Sequence, residues 1–199
     1  PKYLNSAESA LFHKGKFLYN FSNAKSLVKN KGNLIIVEGY MDVISLDKIG
    51  VTAVAPLGTS LTFDQIKLAW KLTNEPIICM DGDEGGKKAI LRIIDTILPN
   101  ISAKNTLRFA VLPIGEDPDS LVNNKKGKNI LHTLFNKPLS MSEALWEFEL
   151  SSHPCDTPER ITLLRNRIME KIKKIKNLEL RRAYEIFLSN KFTEKFGDY

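Results

Sequence analysis

Residues 76–97 read PIICMDGDEGGKKAILRIIDTI, and their order decides the architecture. PIICM (76–80) is an apolar run too short for a helix, which predicts a β-strand buried on both faces. Asp81-Gly82-Asp83 ends the run. From 85 to 98 the apolar residues Ala89, Ile90, Ile93, Ile94 and Ile97 recur at the three-and-four spacing of an amphipathic helix. The pattern repeats outward. Upstream, 34–37 (LIIV) predicts a strand closed by Glu38-Gly39, 40–49 a helix and 51–55 another strand. Thr62-Phe63-Asp64-Gln65 has the spacing of a capping box, opening a helix to about 73 with Ile66, Ala69, Trp70 and Thr73 on one side. Downstream, 107–112 is a fourth strand. Doubly apolar strands alternating with helices predict an α/β fold: a mostly parallel sheet flanked by helices.

The flanks differ. Residues 1–31 are polar and lack a strong period; 15–19 and 22–29 are expected as short helices, the second with Ser22 as its N-cap. Beyond Asp119 the β signal stops. Helices are expected at 127–136, 140–150, 157–175 and 178–195, the third opened by Thr157-Pro158 and striped by Ile161, Leu164, Ile168, Ile172 and Ile175. The expected organisation is a lead-in at 1–31, an α/β domain at 32–120 and a small all-α subdomain at 121–199.

The chain has 199 residues, 29 Lys+Arg and 23 Asp+Glu, a formal net charge of +6. With 43% hydrophobic residues it is ordinary globular composition, which excludes a disordered or fibrous chain. Two cysteines and three histidines cannot build a disulfide framework or a Cys/His zinc cluster. No run of about 18 apolar residues offers a membrane span, so a soluble cytoplasmic protein is expected. The charge is unevenly distributed. Residues 1–33 hold six basic residues against one acidic, whereas 34–121 hold eight against twelve. The last 44 residues, 156–199, hold eleven against seven. Basic flanks suit a polyanionic partner and an acidic centre suits cations.

The acids of that centre fall at strand ends. Glu38 closes the first strand and Asp42 follows on the next helix; Asp81 closes the third, with Asp83 two residues on; Asp117 and Asp119 follow the fourth. Ligands of parallel α/β sheets bind outside the carboxyl ends of strands. Converging carboxylates raise each other's pKa unless a cation neutralises them, and hard oxygen donors suit Mg²⁺ or Mn²⁺. Glycines at 39, 82, 85 and 86 leave room for backbone and phosphate to approach. Taken singly, each pair has a bland reading, such as helix capping for Glu38 or turn chemistry around Pro118. Three pairs at three strand ends favour a metal site.

VEGYMD (37–42) together with DGDEGGKKA (81–89) resembles the TOPRIM domain, a metal-binding module of topoisomerases, primases, recombination factors and some nucleases. APLGTSLT (55–62), LPIGEDPDSL (112–121), PKYLNS (1–6) and LFHKGK (11–16) resemble the version found in bacterial DnaG-type primases. The matching motifs cover residues 1–121; the tail is similar in helical character alone. Two departures, Gly85 in place of the more usual alanine and Glu84 in place of a basic or neutral polar residue, remove no proposed ligand.

The resemblance implies a TOPRIM fold with Glu38, Asp81 and Asp83 as catalytic metal ligands, and Asp42, Asp117 and Asp119 as further metal-site acids. It implies a nucleic-acid groove including Lys2, Tyr3, Asn5 and Lys14, with Lys87 and Lys88 near an incoming NTP. The implied activity is synthesis of short RNA primers on a single-stranded DNA template with Mg²⁺, or Mn²⁺ in its place. Zinc is expected only in an N-terminal ribbon outside this sequence, and the replicative helicase would bind a C-terminal region that is also outside it. The chain thus reads as a monomeric fragment of a longer enzyme, weakly active or inactive alone. A TOPRIM nuclease and a non-catalytic metal- and nucleic-acid-binding module are the alternatives.

Overall fold

The computed structural model describes residues 12–31, 33–58 and 60–197, so Lys2, Tyr3 and Asn5 lie outside the described residues. The chain divides into two compact units that do not follow chain order: Pro1–Asp83 with Leu107–Pro138, and Glu84–Thr106 with Leu139–Tyr199.

The first unit holds β1 (Leu18–Tyr19), α1 (Phe21–Lys31), β2 (Ile35–Ile36), α2 (Tyr40–Lys48) and β3 (Ala53–Pro56). It continues with α3 (Phe63–Ala69), β4 (Ile77–Met80), β5 (Arg108–Val111), α5 (Pro118–Val122) and α6 (Lys125–Asn136); the second unit's helix α4 (Glu84–Ile97) lies between β4 and β5 in sequence. Its strands lie in the order β1-β3-β2-β4-β5. Ile35 pairs with Ala53 and with Ile77, and Ile78 pairs with Phe109, all in parallel. Successive residues bury opposite faces. Ile35, Val37, Ala53, Ala55, Ile77 and Cys79 share a core with Val43 and Leu46 of α2 and Leu131 of α6. Leu34, Ile36, Val54 and Ile78 are just as deeply buried. The α/β expectation therefore holds, and the doubly apolar strands follow from it.

The lead-in departs from its expected form. Residues 15–19 are not a helix: Lys14–Lys16 is a single 3-10 turn, and β1 pairs antiparallel with β3, Leu18 opposite Pro56. Asn20 then turns the chain at φ 64°, a left-handed conformation that asparagine tolerates. Its Nδ2 donates to the Ala53 carbonyl at 3.0 Å, and its own carbonyl accepts from the Ala24 N–H. Ser22 is consequently inside α1 rather than its cap. Pairing with a distant strand decided this segment, which local periodicity cannot register.

Helix α3 begins as its capping box predicts. Thr62 Oγ1 accepts from the Gln65 N–H at 3.2 Å, and Gln65 Oε1 accepts from the Thr62 N–H at 3.0 Å. Gln65 is fully buried because its Nε2 also donates to the carbonyls of Lys14 and Phe17. The helix stops at Ala69, short of 73, in turns closed by Lys71 and Leu72 N–H groups.

In the second unit, α4 (Glu84–Ile97) buries Ile90, Ile93, Ile94 and Ile97, as its spacing requires. It is accompanied by a short strand β6 (Leu139–Ser140) and by α7 (Met141–Ser151), α8 (Pro158–Ile172) and α9 (Leu178–Phe196). Thr157 caps α8 with Pro158 in its first turn, and Leu164, Ile168, Ile172 and Ile175 are all buried. Trp146 of α7 meets Phe192 of α9 edge-on, with ring centroids 4.9 Å apart. Among the described residues no helix is long and apolar enough to cross a membrane.

Candidate metal centre

Parallel strands deliver the acids to one edge because each strand runs the same way and ends in a polar turn. Glu38 follows β2, whose last bond runs from the Val37 N–H to the Val54 carbonyl. Asp42 stands in the first turn of α2, where its Oδ2 accepts from the Gly39 N–H at 3.1 Å. Asp81 follows β4 directly. Gly82 fixes the turn after it: a Cβ there would lie 2.0 Å from the Leu112 carbonyl oxygen and 3.2 Å from the Ile114 nitrogen. Only glycine lets the β4 turn press against the chain leaving β5.

Asp117 is the N-cap of α5, a short helix that the sequence reading missed; its Oδ1 accepts from the Ser120 N–H at 2.7 Å. The E-D-P-D segment thus combines turn chemistry with a place at the acidic edge. Asp119, in the first turn of α5, accepts from the hydroxyl of the buried Ser45 at 2.5 Å. Ser45 was overlooked, although it lies three residues after Asp42 and therefore on the same face of α2.

The electrostatics show that these side chains sense each other. Burial raises the pKa of Glu38, and the charges of Asp81, Asp42 and Asp83 raise it further, while a backbone hydrogen bond from Asp81 opposes the rise. Asp42 is pushed up to about 6, first by burial and then by Asp117, Asp81 and Asp119, against the Gly39 hydrogen bond. Asp81 is raised by burial, Asp83 and Asp117. Even the buried Cys79 thiol is driven up, by burial and by Asp42, Asp81 and Glu38. All six predicted acids enter this one field.

No three of the His, Cys, Asp and Glu residues among those described are gathered tightly enough to grasp one ion. The donor set nevertheless fits a hard divalent cation. It is all oxygen and partly desolvated, and Glu38, Asp42 and Asp81 hold their protons more tightly, first through burial and then through the charge of neighbouring carboxylates.

Of the other predicted residues, Lys14 sits half-buried in the 3-10 turn that Gln65 anchors. Lys87 on α4 is paired with Glu84 at 2.7 Å, and Lys88 is exposed.

Residues 32–107 match the model of the Toprim domain. The DNA primase of Rickettsia felis is 39% identical over 188 residues, which cover 94% of this chain and 31% of that protein. The Escherichia coli primase catalytic core superposes with a TM-score of 0.85 at 38% identity, over 96% of this chain and 61% of that one. A DnaG primase catalytic domain bound to single-stranded DNA gives 0.83 at 38% identity, over the same 96% and 61%. The chain spans about a third of the length of the curated relatives it matches. Its sequence, its sheet and its acidic strand ends together place it in the bacterial DnaG-type primase family, as a segment of the catalytic core that carries the Toprim domain.

Proposed function

We propose that this chain is the metal-binding and helical part of a primase catalytic core, acting in template-directed joining of ribonucleotides on single-stranded DNA. The observation that carries the proposal is the convergence of Glu38, Asp42, Asp81, Asp83, Asp117 and Asp119 on one edge, where burial first and neighbouring carboxylates second raise the pKa of Glu38, Asp42 and Asp81. In the reaction, the 3′-hydroxyl of one ribonucleotide attacks the α-phosphorus of an NTP and pyrophosphate leaves. Bound Mg²⁺, or Mn²⁺ in its place, supplies charge neutralisation at the attacking and leaving oxygens.

Within this reading Glu38, Asp81 and Asp83 are the ligands that hold the metal, and Gly82 keeps the two aspartates at the strand end. Asp42 and Asp117 add negative charge to the same edge while capping α2 and α5. Asp119 contributes through its tie to Ser45. Lys2, Tyr3, Asn5 and Lys14 form the nucleic-acid groove, with lysines holding backbone phosphates and so contributing affinity rather than sequence information. Lys87 and Lys88 are assigned to NTP binding. The partners are single-stranded DNA, NTPs and, through a region outside this sequence, a replicative helicase, in the bacterial cytoplasm. In chain order residues 32–120 are assigned as the metal-binding domain and 121–199 as the helical subdomain, although by packing 84–106 go with the latter and 121–138 with the former.

The test is Mn²⁺ binding followed by electron paramagnetic resonance. Asp81→Ala is expected to abolish binding to the folded chain, and unchanged binding would overturn the assignment. Fluorescence anisotropy of a labelled single-stranded oligonucleotide should show weak binding that falls with salt and with Lys14→Ala.

A further inference from the structure

The edge of the sheet opposite the acids carries a second concavity. A cavity of about 510 Å³ opens where β2 and β3 begin and α6 crosses them. Its floor is apolar: Ile35 and Val51 on the sheet side, Leu131 and Phe135 on the helix side. Its rim is amide and imidazole: Asn33, Asn129, Asn136 and His132, the last two hydrogen-bonded to each other at 3.1 Å. Thr52 also lines it. That residue is 4% exposed, and its Oγ1 is buried with no hydrogen-bond partner among the described residues, which buried hydroxyls rarely tolerate.

The charge of this region has one sign. Among the described residues no carboxylate lines the cavity, and Lys128 does. Lys125, Lys126, Lys128 and Lys137 lie in or beside α6, whose first turn has no acid, and none pairs with a carboxylate among the described residues. Lysines gathered at a helix N-terminus oppose the helix dipole. In the same unit, Lys67 and Arg108 each have a carboxylate partner. Gly127 holds α6 in place, because a Cβ there would lie 2.3 Å from the Leu121 carbonyl oxygen.

We propose that this cavity is a binding site for a purine mononucleotide, separate from the metal centre. A planar base fits between the sheet and helix walls, within the roughly 300–1,000 Å³ range of small-molecule pockets. Side-chain amides offer both donors and acceptors to the mixed edge of a base, and a rotation of Thr52 about its Cα–Cβ bond would turn its buried hydroxyl toward the ligand and give it a partner. Lys128 meets the phosphate. The site needs no metal and does not depend on the acidic strand ends.

The test is titration of the ¹⁵N-labelled chain with GMP and AMP in EDTA, read by amide chemical shifts. The expected result is saturable shifts centred on Asn33, Thr52, Asn129 and His132. Lys128→Glu, at an exposed position, should weaken binding about tenfold, and Thr52→Val about fivefold. Thr52→Val should leave thermal stability unchanged or higher, since it removes an unpaired buried hydroxyl. Glu38→Gln/Asp81→Asn should bind as the parent does, which separates this site from the metal proposal. Absence of shifts there overturns the proposal, as do shifts centred on residues 38–42 and 81–83. Equal affinity for guanosine or for inorganic phosphate alone would also overturn it.

Discussion

The two units handle buried charge in opposite ways. In the helical unit, Glu149 is almost fully buried, but Arg167 Nε and Lys171 Nζ each lie 3.3 Å from its carboxylate. Asp95 is met by Lys171 and, at 3.1 Å, by Lys174. Every carboxylate of that cluster has a cation from the chain itself. At the strand ends of the first unit, six carboxylates share one edge, and the groups that steady them are hydrogen-bond donors such as the Gly39 and Ser120 N–H and the Ser45 hydroxyl. A cluster neutralised internally holds helices together. One that is left negative is poised for a cation from outside.

The contrast can be broken most severely at Glu149. Glu149→Ala leaves Arg167 and Lys171 without their buried counter-charge and should destabilise the fold by about 3–5 kcal/mol in urea denaturation. A change below about 1 kcal/mol would mean the cluster is solvated rather than structural. Gly82→Ala comes next. With 2.0 Å between its Cβ and the Leu112 oxygen, the β4 turn must shift, at an expected cost of about 1–3 kcal/mol together with loss of Mn²⁺ affinity. Unchanged affinity would dissociate the metal from this turn.

Acid pH sharpens the same contrast. Asp42 titrates near 6 in the folded chain against 3.8 ordinarily, so between those values the folded state holds a proton that the unfolded state has lost. The metal-free chain should therefore be more stable at pH 5 than at pH 8 as regards this edge, and that stabilisation is lost as pH rises through about 6. Glu38 and Asp81 shift in the same direction. Saturating Mg²⁺ should restore stability at pH 8, since the ion binds only the folded form. Thermal melts across that range, with and without Mg²⁺, measure both signs. The smallest effect is expected from Asp81→Asn, which relieves repulsion and should raise the melting temperature of the metal-free chain by about 1–2 °C. A lower melting temperature would show Asp81 to be a structural acid.

How much of this was legible in the sequence differs by residue. The parallel sheet and its acidic edge followed from short apolar runs ending in Glu38 and Asp81, because a buried parallel strand and its polar terminus are both local patterns. Helix α5 was not legible, since five residues are too few for a period, although Asp117-Pro118 carried a capping signal. Residues 15–19 misled because Leu18 and Tyr19 take their structure from pairing with Pro56 and Ala55 of β3, distant in sequence. The role of Gly82 depends on the backbone at Leu112, and the role of Glu149 on residues of α8; neither contact has any trace in local sequence. The net charge of +6 gave little guidance, whereas its distribution located the acidic edge.

The central claim is that the strand-end carboxylates form one cation site. Its most direct test is calorimetric titration of the chain with Mn²⁺ at pH 6 in buffers of different ionisation enthalpy. Binding should release protons, because carboxylates with raised pKa values must ionise to coordinate the metal, and both heat and proton release should vanish in Glu38→Gln/Asp81→Asn. Binding of equal affinity in that variant, or binding with no proton release, would contradict the account.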